Sequence, residues 1–233
     1  MYYYGRPVTY GMDWSYLLLI AAFIISMIVQ FRMQGTFAKY SKVAARNGMT
    51  GAQIAQMVLQ SEGLYNVQVR PVAGSLTDHY DPRTKTVNLS QTVYGQTSLA
   101  AQSVAAHECG HAIQDARNYA PLRWRTSLVP VANFGSRFSW ILLLIGLFMS
   151  SYFLIRVGIL LFAVALLFQL VTLPVEFNAS NRALAKLQNS GWLQADEMSG
   201  SKQVLGAAAL TYVAAACTSL MYLLRMLSLG RRR

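Results

Sequence analysis

Charge is scarce in this chain. Only 12 % of its 233 residues are Asp, Glu, Lys or Arg, while 54 % are hydrophobic. A soluble domain ordinarily carries about 25 % charged residues. The deficit is concentrated in a few long apolar runs, which points away from a wholly soluble enzyme and toward a membrane protein. Cysteine is nearly missing: Cys109 and Cys217 are the whole supply, too few for a disulfide framework and no sign of an oxidising compartment. Acidic residues number nine and histidines three, so any site built from such groups has few candidates. No internal repeat or low-complexity linker is present. The net charge of +11 reads as attraction to anionic lipid at a membrane surface. Nucleic acid is disfavoured as a partner, because the basic residues flank apolar runs and do not cluster with exposed aromatics.

What the chain does have is four apolar runs. They are residues 14–31, 139–155, 157–173 and 204–224, each long enough to cross a bilayer or nearly so. The first lacks a small-residue cleavage site after it and reads as a retained anchor, not a removed signal peptide. Arg156 separates the second run from the third, which suggests a tight hairpin or one long broken helix. The fourth is rich in small residues that let helices approach closely. Between the first two runs the pattern changes. Thr50 and Gln53 form a capping-box pair ahead of an amphipathic stripe of Ile54, Met57 and Val58, and Gly63 is a natural stop. Residues 75–90 read as a hairpin with Asp81-Pro82 at its turn and Val87 and Leu89 alternating on the return strand. Ser98 can cap a following helix.

That helix carries "AAHECGHAIQ". His107 and His111 are four residues apart, so their rings project from one face. Two imidazoles at that spacing can grip one zinc ion at about 2.0–2.1 Å. Glu108 lies about 100° around the helix, near enough to take a proton from a zinc-activated water without ligating the metal. Ala105, Ala106 and Gly110 would let another helix pack closely. Cys109 faces away from the histidine pair and reads as packing.

A catalytic zinc site takes three protein ligands and leaves one position open. Beyond the pair only His79 remains among the histidines. Asp13 precedes the first run, Asp78 and Asp81 flank the hairpin turn, and Asp196 and Glu197 look like solvated loop charges. Glu176 differs: it follows an apolar run by two residues, at a depth where an unpaired carboxylate is costly. Glu176 is therefore the expected third ligand, with a dipole-favoured charge at a helix start as the alternative.

"AAHECGHAIQ", with "LTDHYDP" upstream and "LPVEFNAS" downstream, resembles the YugP-type neutral zinc metallopeptidases of bacteria, and more distantly HtpX-like membrane proteases. The resemblance runs over nearly the whole chain. It implies membrane-bound proteolysis with ligands His107, His111 and Glu176, base Glu108 and Zn2+ as cofactor. HtpX-like enzymes carry an aspartate four residues after the third ligand, able to hold a zinc histidine. Here that position is Ser180, an uncharged acceptor, with Asp115 as a substitute unless it is a solvated helix-end charge. His79 or Tyr80 could stabilise an oxyanion, their strand could add to an extended substrate, or the histidine could simply be hydrogen-bonded within the hairpin.

The expected fold is a mainly α integral membrane protein, with about four transmembrane helices and a small α+β domain carrying the HExxH helix and a short hairpin. Its parts would be a tail and anchor (1–31), a water-facing metallopeptidase domain (32–137), a transmembrane hairpin (138–174), a polar helix bearing the third ligand (175–203) and a last span with a basic tail (204–233). The motif side would hold Arg32, Lys39, Lys42, Arg46, Arg123, Arg125, Arg137, Arg182, Lys186 and Lys202. The other side would hold Arg6, Arg156, Arg225 and Arg231 to Arg233. The larger set puts the active site on the cytoplasmic face of the cell membrane, against the terminal arginines. Expected partners are the lipid bilayer and protein or peptide substrates, membrane proteins among them. A catalytically silent, zinc-stabilised scaffold is the competing reading, against which Glu108 argues. A small transporter would need ionisable residues deep within several spans, and Arg156 and Arg225 lie only near span ends.

Overall fold

The computed structural model describes residues 14–231. Asp13, Arg6, Arg232 and Arg233, named above, lie outside them. The order of elements is α1 (Trp14–Tyr40), α2 (Gly51–Ser61), β1 (Gln68–Val72), β2 (His79–Asp81), β3 (Thr86–Ser90), α3 (Leu99–Ala116), α4 (Ala120–Phe148), α5 (Tyr152–Asn189) and α6 (Ala195–Arg231). Among the described residues, α1, α4, α5 and α6 are long and apolar enough to cross a membrane. Their outer faces carry exposed apolar side chains, including Phe23, Ile28 and Phe31 on α1 and Ile141, Leu144 and Phe148 on α4. Apolar surface on that scale belongs against lipid, not water. The chain is thus a mainly helical membrane protein with a small α+β domain.

Local signals set that domain. Thr50 and Gln53 close a reciprocal capping box on α2, and Ser98 Oγ accepts from the Ala101 backbone N–H at 3.2 Å to open α3. The sheet order is β1-β3-β2, with β3 parallel to β1 and antiparallel to β2. Pro71 is accommodated because β1 is an edge strand. Val87 and Leu89 of β3 are fully buried and join a core with Ile54 and Val58 of α2, Ala105 and Cys109 of α3, and Ala183 and Leu187 of α5. One core therefore ties the water-facing elements to the end of a membrane-length helix.

Four boundaries differ from the sequence reading. The break between the second and third apolar runs falls at 149–151, where Ser150 adopts a left-handed φ of 52°; Arg156 is an exposed residue inside α5. Charge marked the wrong place because serines supplied the turn. The stretch after Pro174 is not a separate polar helix: α5 runs through that proline to Asn189. A proline removes one hydrogen bond, and packing against α3, α4 and α6 keeps the helix continuous. Asp196 and Glu197 are not loop charges either. They form the first turn of α6, where buried Glu197 accepts from the Gln194 and Arg46 backbone N–H groups at 2.8 Å each, and Asp196 pairs with Arg46. α4, in turn, starts at Ala120, ahead of the apolar run.

Glu62, at the end of α2, pairs with Lys186 of α5 and with Arg117 just past α3, at 3.1 Å for the latter. The Lys186 bond, more than Arg117, holds its carboxyl below the ordinary value against the opposing effect of burial. A depressed folded-state pKa contributes stability above the ordinary carboxylate range, and that stability is lost as pH falls through the folded value. Glu62→Gln should lower the stability of the detergent-solubilised protein by roughly 1.5–3 kcal/mol at pH 7. The difference from wild type should shrink as pH is taken below about 4. Thermal unfolding of both proteins across that pH range checks it.

Candidate metal and active site

The site forms where α3 crosses α5. The helices approach so closely at Gly110 that an added Cβ would lie 2.5 Å from the Ala179 carbonyl oxygen and 3.0 Å from its carbon. No side chain larger than hydrogen fits there. Gly110 stands between the two motif histidines, and Ala179 follows Glu176 by three residues. The contact thus presents the histidine face of one helix to the glutamate face of the other.

His107 Nε2 lies 3.2 Å from Glu176 Oε2, and His111 Nε2 lies 3.6 Å from the same oxygen. The ring centroids are 4.8 Å apart, with planes at 83°. One ligand atom from each of the three residues lies within 4.8 Å of the others, a spacing that could hold one metal ion. Glu176 is 2 % exposed and stands mid-helix, so the helix-start alternative does not describe it. A carboxylate this deep needs positive charge or donors around it. Arg125 Nη1 of α4 supplies one at 3.3 Å from Glu176 Oε1.

The outward nitrogens of both rings are occupied. Gln114 Nε2 donates to the Val175 carbonyl at 2.8 Å and to Asn178 Oδ1 at 3.0 Å. Its Oε1 is thereby turned to accept from His111 Nδ1, 3.0 Å away. A proton on Nδ1 leaves Nε2 with its lone pair facing Glu176, the tautomer a metal needs. Ser180 Oγ stands 3.1 Å from His107 Nδ1 and can accept there in the same way. Two nitrogens and a carboxylate oxygen, each held from behind, suit zinc's preference for such donors.

Glu108 is 8 % exposed and lines the same space as the cluster without joining it. Burial pushes its carboxyl up to about 7, while His107 pulls the other way. A cation at the cluster would further favour the ionised form.

Other expected residues stay outside the three-residue cluster, though His79 and Tyr80 line the larger cavity beside it. Tyr80 donates to Asp115 Oδ2 at 2.8 Å, and Lys85 pairs with the same carboxylate. Burial first, then the bond to Asp115, holds the Tyr80 phenol well above its ordinary pKa. Asp115 thus neither supports a cluster histidine nor stands solvated; it staples the β2–β3 hairpin to α3. His79 lines the larger cavity, but its ring nitrogens engage the Thr77 carbonyl at 2.9 Å and Asn88 Nδ2 at 3.2 Å. Cys109 is buried away from the site, within 3.5 Å of the Ala55 carbonyl oxygen. Sequence reasoning missed Arg125, Gln114, Asn178 and Tyr212, the last of which lines both cavities beside Glu108 and Glu176. Gln114 was legible, three residues past His111 and so on its helix face. Arg125 and Tyr212 gave no local signal.

The sequence has counterparts among known proteins. The pattern of the family described as "Putative neutral zinc metallopeptidase" matches residues 15–231. The chain belongs to this family. It is 50 % identical over 208 residues to "Putative membrane protease YugP" of Bacillus subtilis (strain 168), covering 89 % of this chain and 92 % of that protein. No solved structure matches it. The family name implies zinc, and the donor set described above is compatible with that metal.

Gly110→Ala tests the crossing on which the site depends. The added methyl should force α3 from α5, lowering stability by about 1–3 kcal/mol and reducing zinc retained through purification. Unchanged zinc content and an unchanged unfolding midpoint would show that the close approach is dispensable.

Proposed function

We propose that this protein is a membrane-embedded, zinc-dependent endopeptidase that hydrolyses peptide bonds near the membrane surface. The observation carrying this reading is the convergence of His107, His111 and Glu176, with Glu108 beside them, in a chain of a zinc metallopeptidase family.

In this reading His107 Nε2, His111 Nε2 and a Glu176 oxygen hold the metal, with Ser180 and Gln114 fixing the two rings from behind. When bound, zinc supplies Lewis acidity that polarises a scissile carbonyl and makes water nucleophilic near neutral pH. Glu108 takes the proton of the attacking water and delivers it to the departing amine. Arg125, against the far oxygen of Glu176, orients that carboxylate and adds positive potential where negative charge develops. Burial of Glu108, His111, Glu176, Gln114 and Ser180 keeps them in a medium of low dielectric, where each interaction is stronger than in bulk water.

The membrane setting supports substrates presented at the bilayer, including membrane proteins. Glu176 lies on the same continuous helix as an apolar run, and the hydrolytic cluster stands at the end of that run. The lysine and arginine count favours a cytoplasmic site.

Glu108→Gln should abolish peptide cleavage by the full-length protein in detergent or proteoliposomes while leaving zinc content at wild-type level. Proteolysis that survives this substitution overturns the role given to Glu108. Gln114→Leu should weaken zinc retention against a chelator by about 10–100-fold, read by metal analysis. Retention equal to wild type would remove Gln114 from its supporting role.

A further inference from the structure

Two cavities meet at the hydrolytic cluster, sharing Asp78, His107, Glu108, Glu176 and Tyr212. The larger, about 830 Å³, is bounded by β2, the turn at Pro82 and Arg83, and α4. The smaller, about 210 Å³, has a different character. Away from the cluster its walls are mostly apolar: Met33 and Phe37 from α1, Val104 from α3, and Leu205 and Ala208 among those of α6, with Thr211 a polar exception. Leu76, in the loop between β1 and β2, adds to that apolar wall, with Asp78 beside it.

Leu76 is unusual in two ways. It is 47 % exposed, and it holds a left-handed φ of 56°, which a branched side chain rarely adopts. The loop is not loose at its base. Two residues on, Asp78 accepts from the Ser90 backbone N–H at 2.7 Å and from Ser90 Oγ at 2.9 Å. An anchored loop that turns a leucine outward at a cavity wall needs a reason, and a transient apolar occupant is one.

We infer that the smaller cavity receives a large apolar side chain of the substrate residue next to the scissile bond. The cleaved class is then peptide segments carrying Leu, Met, Phe or a similar residue at that position; this rests on the peptidase reading above. The size of the space excludes an intact helix, which is about 10–12 Å across with its side chains, so the substrate enters as extended or unwound chain. A lipid tail fits the walls but not the inner end. There it would cover the Glu108 carboxyl with hydrocarbon and offer it no hydrogen bond. A peptide offers its carbonyl and amide at that end while its side chain fills the apolar part.

The experiment uses the full-length protein, zinc-loaded, and matched peptides that vary the residues on both sides of one cleavable bond. Wild type should cleave bonds flanked by Leu or Phe with kcat/KM roughly tenfold or more above Ala-flanked ones. Ala208→Leu, which reduces the cavity from the α6 side, should bring that ratio toward one by losing the large-residue substrates while keeping wild-type zinc content. Leu76→Ser, at an exposed position, should also reduce the ratio, and it decides the matter if Ala208→Leu fails to retain zinc. Equal kcat/KM across flanking residues in wild type overturns the assignment. So does an unchanged ratio in a zinc-replete Ala208→Leu variant, or an unchanged ratio in Leu76→Ser if that variant decides. Absence of any cleavage that depends on Glu108 would instead overturn the peptidase reading and the pocket with it.

Discussion

The approach of α3 to α5 at Gly110 is the constraint from which the site follows. Backbone meets backbone there, with the Ala179 carbonyl in the space a side chain would occupy. Moving the helices apart by the width of one methyl would separate the histidine nitrogens from the Glu176 carboxylate, because the three ligands come from two rods and no loop can compensate. Rigid elements hold such a constellation more tightly than loops do. The domain core reinforces the crossing, since Ala105 and Cys109 on α3 and Ala183 and Leu187 on α5 belong to the same packed cluster.

A second layer holds the orientation of what the crossing brings together. Gln114 reads the α5 backbone at Val175 and turns its oxygen to His111, so one side chain measures the helix separation and fixes a ring at once. Ser180 does the same for His107 from the opposite helix. The HtpX-like expectation of an aspartate at that position is met here by a neutral hydroxyl. Arg125 adds charge on the other side of the glutamate, bringing α4 into the site as well. Asp115, considered as a substitute for that aspartate, instead anchors the hairpin through Tyr80 and Lys85. The cavity walls that the hairpin and its preceding loop supply are therefore positioned by a carboxylate on the motif helix itself.

The membrane helices do more than anchor. α1 and α6 pack along each other, with Ser26 Oγ and Thr218 Oγ1 2.9 Å apart and Arg225 stacked 3.7 Å over the Tyr16 ring. Nearer the domain, the same pair forms apolar wall beside the His107, His111 and Glu176 cluster. The polar cluster is thus set against surfaces built for apolar contact, and the proposed selectivity rests on that juxtaposition.

Much was legible in the chain itself. Long apolar runs, a capping box at Thr50, a serine cap at Ser98 and two histidines one turn apart are local patterns, and local backbone geometry obeys them. Glu176 could be singled out because an acidic residue beside an apolar run needs a partner. The turn at Ser150 was not legible, since the charge at Arg156 was the louder signal. Nor was the continuity of α5 through Pro174, because packing by neighbours outweighs one lost hydrogen bond. Arg125, Tyr212 and the apolar cavity arise only where five separate helices converge. By itself the sequence determined which residues could bind a metal and which segments could meet lipid, because both depend on side-chain chemistry and short-range periodicity. Tertiary structure alone decided that His107, His111 and Glu176 share one point and that α1 and α6 wall it, because distances between residues far apart in the chain are set by how closely helix backbones can pack.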